Sequence, residues 1–153
     1  MTESATASIW FKPYSIEEMN ALDDGTLASH LGMEITGIGA DYLSGSIPVD
    51  HRTRQPYGLL HGGASIALAE TLGSLAAAMT VDSDSKLVVG QEINANHLRG
   101  VRKGRVTGTA RPVHLGGRSQ VWSIEIVDEG GRLVCISRMT LAVLDKPAQR
   151  AAS

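Results

Sequence analysis

The chain has 153 residues, 42% of them apolar, which suffices for one domain with a core of its own. Its formal charge of −2 at pH 7 supplies no global field to attract nucleic acid. The single cysteine, Cys135, excludes an internal disulfide; it lies in an apolar run, reads as a small core residue, and suits a reducing cytoplasm.

In chain order, the stretch up to Ser8 is short and polar with Glu3 its one charge, so no secretory leader is expected. Ser15 can cap a short helix whose Glu17 and Glu18 favour its positive end. Residues 26–31 read as another helical turn, stopped at Gly32. A strand is expected over 33–38. A second follows over 42–49, with Leu43, Gly45, Ile47 and Val49 on one face and Pro48 marking an edge. Residues 50–58 are a polar loop, and a long helix runs from about Gly62 to about Thr80. Four strands follow, expected as a meander: 86–98, 105–113, 119–127 and 132–144, with an Asp128-Glu129-Gly130-Gly131 turn before the last. The pattern predicts an α+β layer with one central helix on an antiparallel sheet. Residues 1–153 are expected to be one domain, with flexible tails at 1–8 and 145–153.

The long helix holds the most informative residue. Between His61 and Val81 the one charged side chain is Glu70. A carboxylate in an apolar helix is costly to bury unpaired. At about 100° per residue, Leu68, Leu72, Leu75 and Met79 form a stripe expected to lie on the sheet. Glu70 falls nearly opposite, among Gly63, Gly73, Ser74 and Ala77. That second face is made of small residues rather than charges, so it needs a cover, and a second copy of the chain is the simplest one. A homo-oligomer with Glu70 near the interface is therefore expected. Residues 59–81 are long enough to cross a membrane. Glu70 at their centre, several glycines and serines and the lack of a basic flank argue against it.

Each chemistry-bearing residue also has a plain structural explanation. Glu70 is either a structural acid, paired or exposed, or a carboxylate acting on a substrate held at the helix start. Ser74, one turn on, either bonds Glu70 or a water, or is simply small. His61-Gly62-Gly63 is either a tight turn or an oxyanion site, where N–H groups at a helix start meet developing negative charge. Gln55, in the loop before it, carries an amide able to orient a carbonyl or a water. Two glycine-punctuated basic turns are either solvated β-turns or a phosphate site. One starts His97-Leu98-Arg99-Gly100 and runs to Arg105; the other is His114-Leu115-Gly116-Gly117-Arg118-Ser119. The basic region is too small, and aromatics too few, for nucleic acid; a nucleotide-tailed ligand fits better. Five histidines lack ligand spacing and the cysteine has no partner, so no metal is expected. No Gly-x-Ser-x-Gly elbow is present.

The run Gln55-Pro56-Tyr57-Gly58-Leu59-Leu60-His61-Gly62-Gly63-Ala64-Ser65, with Glu70, resembles the hotdog-fold acyl-CoA thioesterases of the phenylacetate-degradation branch. Pro48-Val49-Asp50, Glu92-Ile93-Asn94-Ala95-Asn96-His97, His114-Leu115-Gly116 and Gln120-Val121-Trp122 extend the likeness over residues 10–144. It is nearest to the 1,4-dihydroxy-2-naphthoyl-CoA hydrolases of menaquinone synthesis. The resemblance implies a hotdog fold, a curved antiparallel sheet wrapped around one long central helix, in dimers usually paired into tetramers. It implies hydrolysis of a thioester to free acid and CoA, aromatic acyl groups first, with no cofactor because CoA is part of the substrate. It implies a shared active site. Gln55, His61 and Gly62 would come from one subunit, and Glu70 from its partner as nucleophile or base, with Ser74 assisting a water. Gly90 and the two basic turns match segments that contact CoA, although Gly100 and Gly117 depart from bulkier or polar residues in relatives. Rival readings are a proofreading thioesterase acting on an aryl carrier protein, a hotdog enoyl-CoA hydratase, against which His61-Gly62-Gly63 speaks, and an acyl-CoA sensor, which would need a further effector domain.

Overall fold

A computed structural model describes residues 7–147. The Ser15 hydroxyl accepts from the Glu18 N–H at 3.1 Å, and the Glu18 carboxylate accepts from the Ser15 N–H at 2.9 Å. This reciprocal cap starts α1 (Ile16–Ala21). α2 (Leu27–Leu31) stops on Gly32, whose φ of 66° is the left-handed conformation glycine adopts without strain. β1 (Glu34–Ile38) and β2 (Leu43–Pro48) follow, then α3 (Gly62–Met79). The rest is β3 (Lys86–His97), β4 (Arg105–Leu115), β5 (Ser119–Asp128) and β6 (Leu133–Asp145).

The strands make one six-stranded antiparallel sheet in the order β1-β2-β4-β5-β6-β3. Only β4, β5 and β6 form a meander. β3, expected beside β4, lies at the far edge against β6, and β4 pairs instead with β2. α3 crosses the face of the sheet between β2 and β3, so β3 enters at the opposite edge. The segment 98–104 then returns the chain to β4. Pro48 belongs to an interior strand, but it lies past Ser46, the partner of the first residue of β1, so it costs no ladder bond on that side. The sheet also extends beyond the expected end at Leu144. Asp145 closes β6, and the Lys146 N–H donates to the Ser85 carbonyl at 2.9 Å. Residues 1–6 and 148–153 of the expected tails lie outside the described residues.

α3 touches β2, β3, β4, β5 and β6, so the sheet bends around it. Leu68 and Leu72 are fully buried over a seat made by Gly45 and Gly108, register partners on β2 and β4. A Cβ at Gly108 would stand 2.8 Å from Leu72 Cδ1, and one at Gly45 3.0 Å from Leu72 Cδ2. From the helix side, a Cβ at Gly73 would meet Met139 Sδ at 2.9 Å. Glycines on both layers thus set the close approach of helix and sheet.

This wrapping corrects the flat-wheel expectation. Gly73 and Ala77 are buried, and Leu75 is half-buried off the main stripe. The open face is Gly63, Glu70 and Ala78, with Ala67 and Ser74 half-buried beside them. α3 is long and apolar enough to cross a membrane by length and composition alone, but half of it is buried within the domain, as befits a core helix. Cys135 is buried, and burial pushes its thiol pKa up.

The C-terminal end of α3 is pinned as well. The Gln120 amide donates to the Thr80 hydroxyl at 2.8 Å and accepts from the buried Trp122 indole at 2.9 Å. Trp10 stacks on Trp122 with centroids 6.4 Å apart, and the Phe11 N–H donates to the Met79 carbonyl at 2.8 Å. Because Leu72 fills the seat between two glycines that cannot reach up to replace it, Leu72→Ala leaves a cavity. It is expected to lower the unfolding free energy by about 3 kcal/mol, measured by urea denaturation.

Candidate active site

The loop between β2 and α3 is held by its own polar groups. The Thr53 hydroxyl is buried, donates to the Pro48 carbonyl at 2.6 Å and accepts from the Asp50 N–H at 3.1 Å. The Asp50 carboxylate takes the Arg52 guanidinium at 2.7 Å. Arg54 Nη2 donates to the carbonyls of Val49 and Arg102 at 3.2 and 2.9 Å. The Gly58 N–H donates to the Gln55 carbonyl at 2.9 Å and the His61 N–H to the Thr53 carbonyl at 2.7 Å. This scaffold delivers Gln55 and His61 to the start of α3.

His61 is the N-cap, and its Nδ1 accepts from the Gly63 N–H at 2.8 Å, which puts the ring proton of the neutral imidazole on Nε2. The Ala64 and Ser65 N–H groups bond the His61 carbonyl at 2.9 and 3.3 Å. Among the described residues the Gly62 N–H alone of these first four finds no acceptor. A Cβ at Gly62 would lie 2.8 Å from the Nε2 of His97, so glycine is needed there for the ring to sit against the helix start.

A cleft of about 340 Å³ opens at this point, bounded by Gln55, Gly62, His97, Leu98, Arg99 and Gly100, with Leu59 and Ser65 in its wall. Gln55 Oε1 accepts from the Tyr57 N–H. A backbone N–H can only donate, so the amide oxygen faces it and the NH₂ group is left for a ligand. Gly100 is explained by packing, since a Cβ there would stand 3.1 Å from Leu59 Cδ2. His61 and Gly63 border a neighbouring notch beside Ala67 and α2.

The remaining expected site residues lie elsewhere. Glu70 is exposed and makes no hydrogen bond or ion pair among the described residues, so it is not a structural acid held by an arginine within the chain. It sits about 12 Å along the helix axis from Gly62, at 1.5 Å per residue. Its Oε1 is 3.2 Å from the point a Gly90 Cβ would occupy. Ser74 follows on the same open face. The turn holding His114, Leu115, Gly116, Gly117, Arg118 and Ser119 joins β4 to β5, closed by the Gly116 N–H on the Ser119 carbonyl at 2.9 Å. On β6, Ser119 pairs with Ala142 whereas His97 pairs with Cys135. The two basic turns are thus roughly 23 Å apart along that strand, at 3.3 Å per residue. The expected site residues thus fall into two separate groups on one chain: Gln55, Gly62 and residues 97–100 at one end, and Glu70, Gly90 and residues 114–119 toward the other.

Part of the basic run is engaged by partners within the chain. Arg105 pairs with Glu34 at 3.3 Å and donates to the Ser46 hydroxyl at 3.0 Å, and Arg102 Nη1 donates to the Tyr57 carbonyl at 3.1 Å. Arg99 and Lys103 are exposed and form no ion pair among the described residues. Sequence reasoning missed an apolar groove of about 510 Å³ between α1 and the last turns of α3, lined by Tyr14, Met19, Leu22, Leu75, Ala78 and Met79. Its one signal was Leu75, which at 20° from Leu68 by the 100° step sits at the margin of the buried stripe.

A sheet bent round one helix, with an unspent donor at the helix start and a solitary carboxylate two turns on, defines a hotdog-fold thioester hydrolase. The chain belongs to the Thioesterase superfamily, whose sequence profile matches residues 57–135. It is 52% identical over 136 residues to a 1,4-dihydroxy-2-naphthoyl-CoA hydrolase of Escherichia coli, covering 89% of this chain and 99% of that one. It is 53% identical over 136 residues to the proofreading thioesterase EntH of Cronobacter turicensis, covering 89% of this chain and 98% of that one. A thioesterase of Haemophilus influenzae, known by crystal structure, superposes with a TM-score of 0.89 at 48% identity, covering 94% of this chain and 99% of that one.

The loop that presents Gln55 carries an acid-sensitive latch. The Arg52 side chain and N–H both bond the Asp50 carboxylate and hold its pKa at about 2, below the ordinary 3.8. A depressed carboxylate pKa stabilises the fold above the unfolded value and loses that contribution as pH falls through the folded one. The latch is therefore expected to be intact above pH 4 and to open progressively toward pH 2, as followed by the Asp50 carboxyl carbon shift in an NMR titration.

Proposed function

We propose that the protein hydrolyses acyl-CoA thioesters, aromatic ones first, at a site completed by a second copy of the chain. The observation that carries this is the separation of two complementary halves on one rigid helix. The unspent Gly62 N–H and the Gln55 NH₂ group form a donor pair, and the unpaired Glu70 lies too far along the same helix to reach it. Two further features support a second copy. β3 is an edge strand with one side of its backbone unpaired, and α3 keeps a small-residue face open. A copy packed alongside covers both and brings its Glu70 toward this Gly62.

In that site the thioester carbonyl lies on the Gly62 N–H and the Gln55 amide, which stabilise the oxyanion as it develops. Glu70 of the second copy either attacks the carbonyl carbon or takes a proton from the water that does, with Ser74 bonded to that water. Collapse of the tetrahedral species breaks the C–S bond and CoA leaves as its thiolate; where water attacks, the free acid forms directly, and where Glu70 attacks, water then cleaves the mixed anhydride to free acid and regenerates the Glu70 carboxylate. His61 holds the helix start in shape through Gly63. Arg99 with His97, Leu98 and Gly100, and the turn of Arg118 with Gly90 beside it, supply cations and backbone N–H groups for the CoA phosphates. The apolar groove beyond Ser74 offers room for a flat acyl group. A carboxylate base or nucleophile with two amide donors suffices for this chemistry, so neither a metal nor a cofactor is invoked. The single buried thiol suits a cytoplasmic setting.

Two substrates follow from the relatives. The relative named 1,4-dihydroxy-2-naphthoyl-CoA hydrolase supports that thioester, and the one named a proofreading thioesterase, at similar identity, supports the alternative of a proofreading role, for which an aryl group on a carrier protein is the expected substrate. Rates on 1,4-dihydroxy-2-naphthoyl-CoA, benzoyl-CoA, a long-chain acyl-CoA and an aroyl carrier protein, measured with a thiol reagent, separate the two. The first is expected to be fastest, and a preference for the long-chain substrate would sink the aromatic assignment. Glu70→Ala is expected to lower kcat by at least about 100-fold while leaving the melting temperature unchanged, because Glu70 makes no hydrogen bond or ion pair among the described residues of its own chain. At micromolar concentration the protein is expected to sediment as a dimer or dimer of dimers.

A further inference from the structure

Arg102 belongs to the basic run that sequence alone leaves open between solvated turns and a phosphate site; its side chain is exposed, yet it is tied to a backbone carbonyl of its own chain. We infer that Arg102 is a positioning residue that fixes the orientation of the Gln55 amide; the inference rests on the proposed role of that amide as a carbonyl donor. Arg102 makes no ion pair among the described residues. Its Nη1 donates to the Tyr57 carbonyl at 3.1 Å and lies 3.7 Å from where a Gly58 Cβ would stand. On the other side of the same residue, the Tyr57 N–H donates to Gln55 Oε1. Tyr57 is therefore gripped at its carbonyl by Arg102 and at its N–H by Gln55.

The grip adds to the backbone bonds that close this turn. The Tyr57 side chain is 82% exposed and brings no packing. Pro56 has no N–H to contribute, and the turn's own bonds are those of Gly58 to Gln55 and of Gln55 to Leu59, at 2.9 and 2.8 Å. The adjoining strap is anchored, since the Leu60 N–H bonds the Val101 carbonyl at 2.7 Å and Arg54 bonds the Arg102 carbonyl at 2.9 Å. Arg102 thus ties the tip of the turn to the anchored strap. If its donor is removed, the Tyr57 peptide loses that tie, and with it shifts the N–H that is the one partner of Gln55 Oε1 among the described residues and sets which end of the amide faces the cleft. A rotated amide presents oxygen to the substrate's carbonyl oxygen, replacing attraction with repulsion.

A phosphate ligand and a positioning residue differ in what they change. Loss of a phosphate contact raises KM in a salt-dependent way and does so whatever stands at position 55. Loss of a positioning contact lowers kcat, and only while Gln55 is present. The experiment is steady-state hydrolysis of benzoyl-CoA at low and high salt by Arg102→Ala, Arg102→Lys, Gln55→Ala and the Arg102→Ala/Gln55→Ala double variant, each checked by thermal melting. Arg102→Ala is expected to lower kcat by about 10- to 100-fold with KM within about twofold. Arg102→Lys, which keeps a cationic donor, is expected to recover most of that loss, and the double variant to be no slower than Gln55→Ala. Unchanged kcat in Arg102→Ala, a salt-dependent rise in KM, or additive losses in the double variant would each overturn the inference. Wild-type kcat in Gln55→Ala would instead remove the proposed role of Gln55, and the inference with it.

Discussion

The close approach of α3 to the sheet governs everything else in this molecule. Leu68 and Leu72 enter a seat that exists because Gly45 and Gly108 face each other across β2 and β4, and Gly73 lets Met139 in from the other side. With the helix that low, five strands reach it and the sheet curls up its flanks. What remains uncovered is a narrow strip, and Glu70 stands in the strip. The same depth fixes the height of Gly62, and hence where its N–H can meet a ligand. Packing that looks purely structural therefore decides both where the carboxylate is and where the donor is.

The helix start shows why counting backbone donors matters more than invoking a dipole. Four N–H groups at a helix beginning have no partners within the helix. Here the His61 ring takes one and its carbonyl takes two, which leaves the Gly62 N–H as the donor without a use. The positive end of α3 is thereby focused on one point beside the Gln55 amide instead of spread over a glycine turn. A rigid helix cannot fold Glu70 back across some 12 Å to that point. The donor and the acid can cooperate only if two helices run side by side, which is the physical content of a shared site.

Much of this was legible in the sequence. Ser15 with Glu18, Gly32, the limits of α3 and the isolation of Glu70 each rest on local rules that hold whatever the rest of the chain does. Four things were not legible, and for one reason: they depend on where distant segments lie. β3 shares its alternation with the other strands, but nothing local says which edge it joins. The wheel assumed support from one side, so Gly73 and Ala77 were assigned to the open face although the curled sheet buries them. The two basic turns look alike in sequence and stand at opposite ends of the sheet. The groove under Leu75 is made by α1, a helix whose docking position no periodicity encodes.

Arginine is the residue type for which sequence was least informative, and the reason is chemical. A guanidinium carries five donors in a plane and is equally suited to a phosphate, a carboxylate or a stack of backbone carbonyls. Within or beside the basic run, Arg54 and Arg102 spend donors on carbonyls, and Arg105 is shared between Glu34 and Ser46. Arg99 and Lys103 keep their charge facing water. Arginines whose donors are engaged within the chain form an inner set that fastens the Gln55 loop to the strap before β4, and Arg99 and Lys103, without an ion pair among the described residues, form an outer set available to an anion. A ligand phosphate drawn to the outer set would lie against a loop that the inner set has already made stiff. On the proposed function, orientation of the amide and attraction of the nucleotide tail would in this way fall to neighbouring residues of one short segment, with little overlap between the two tasks.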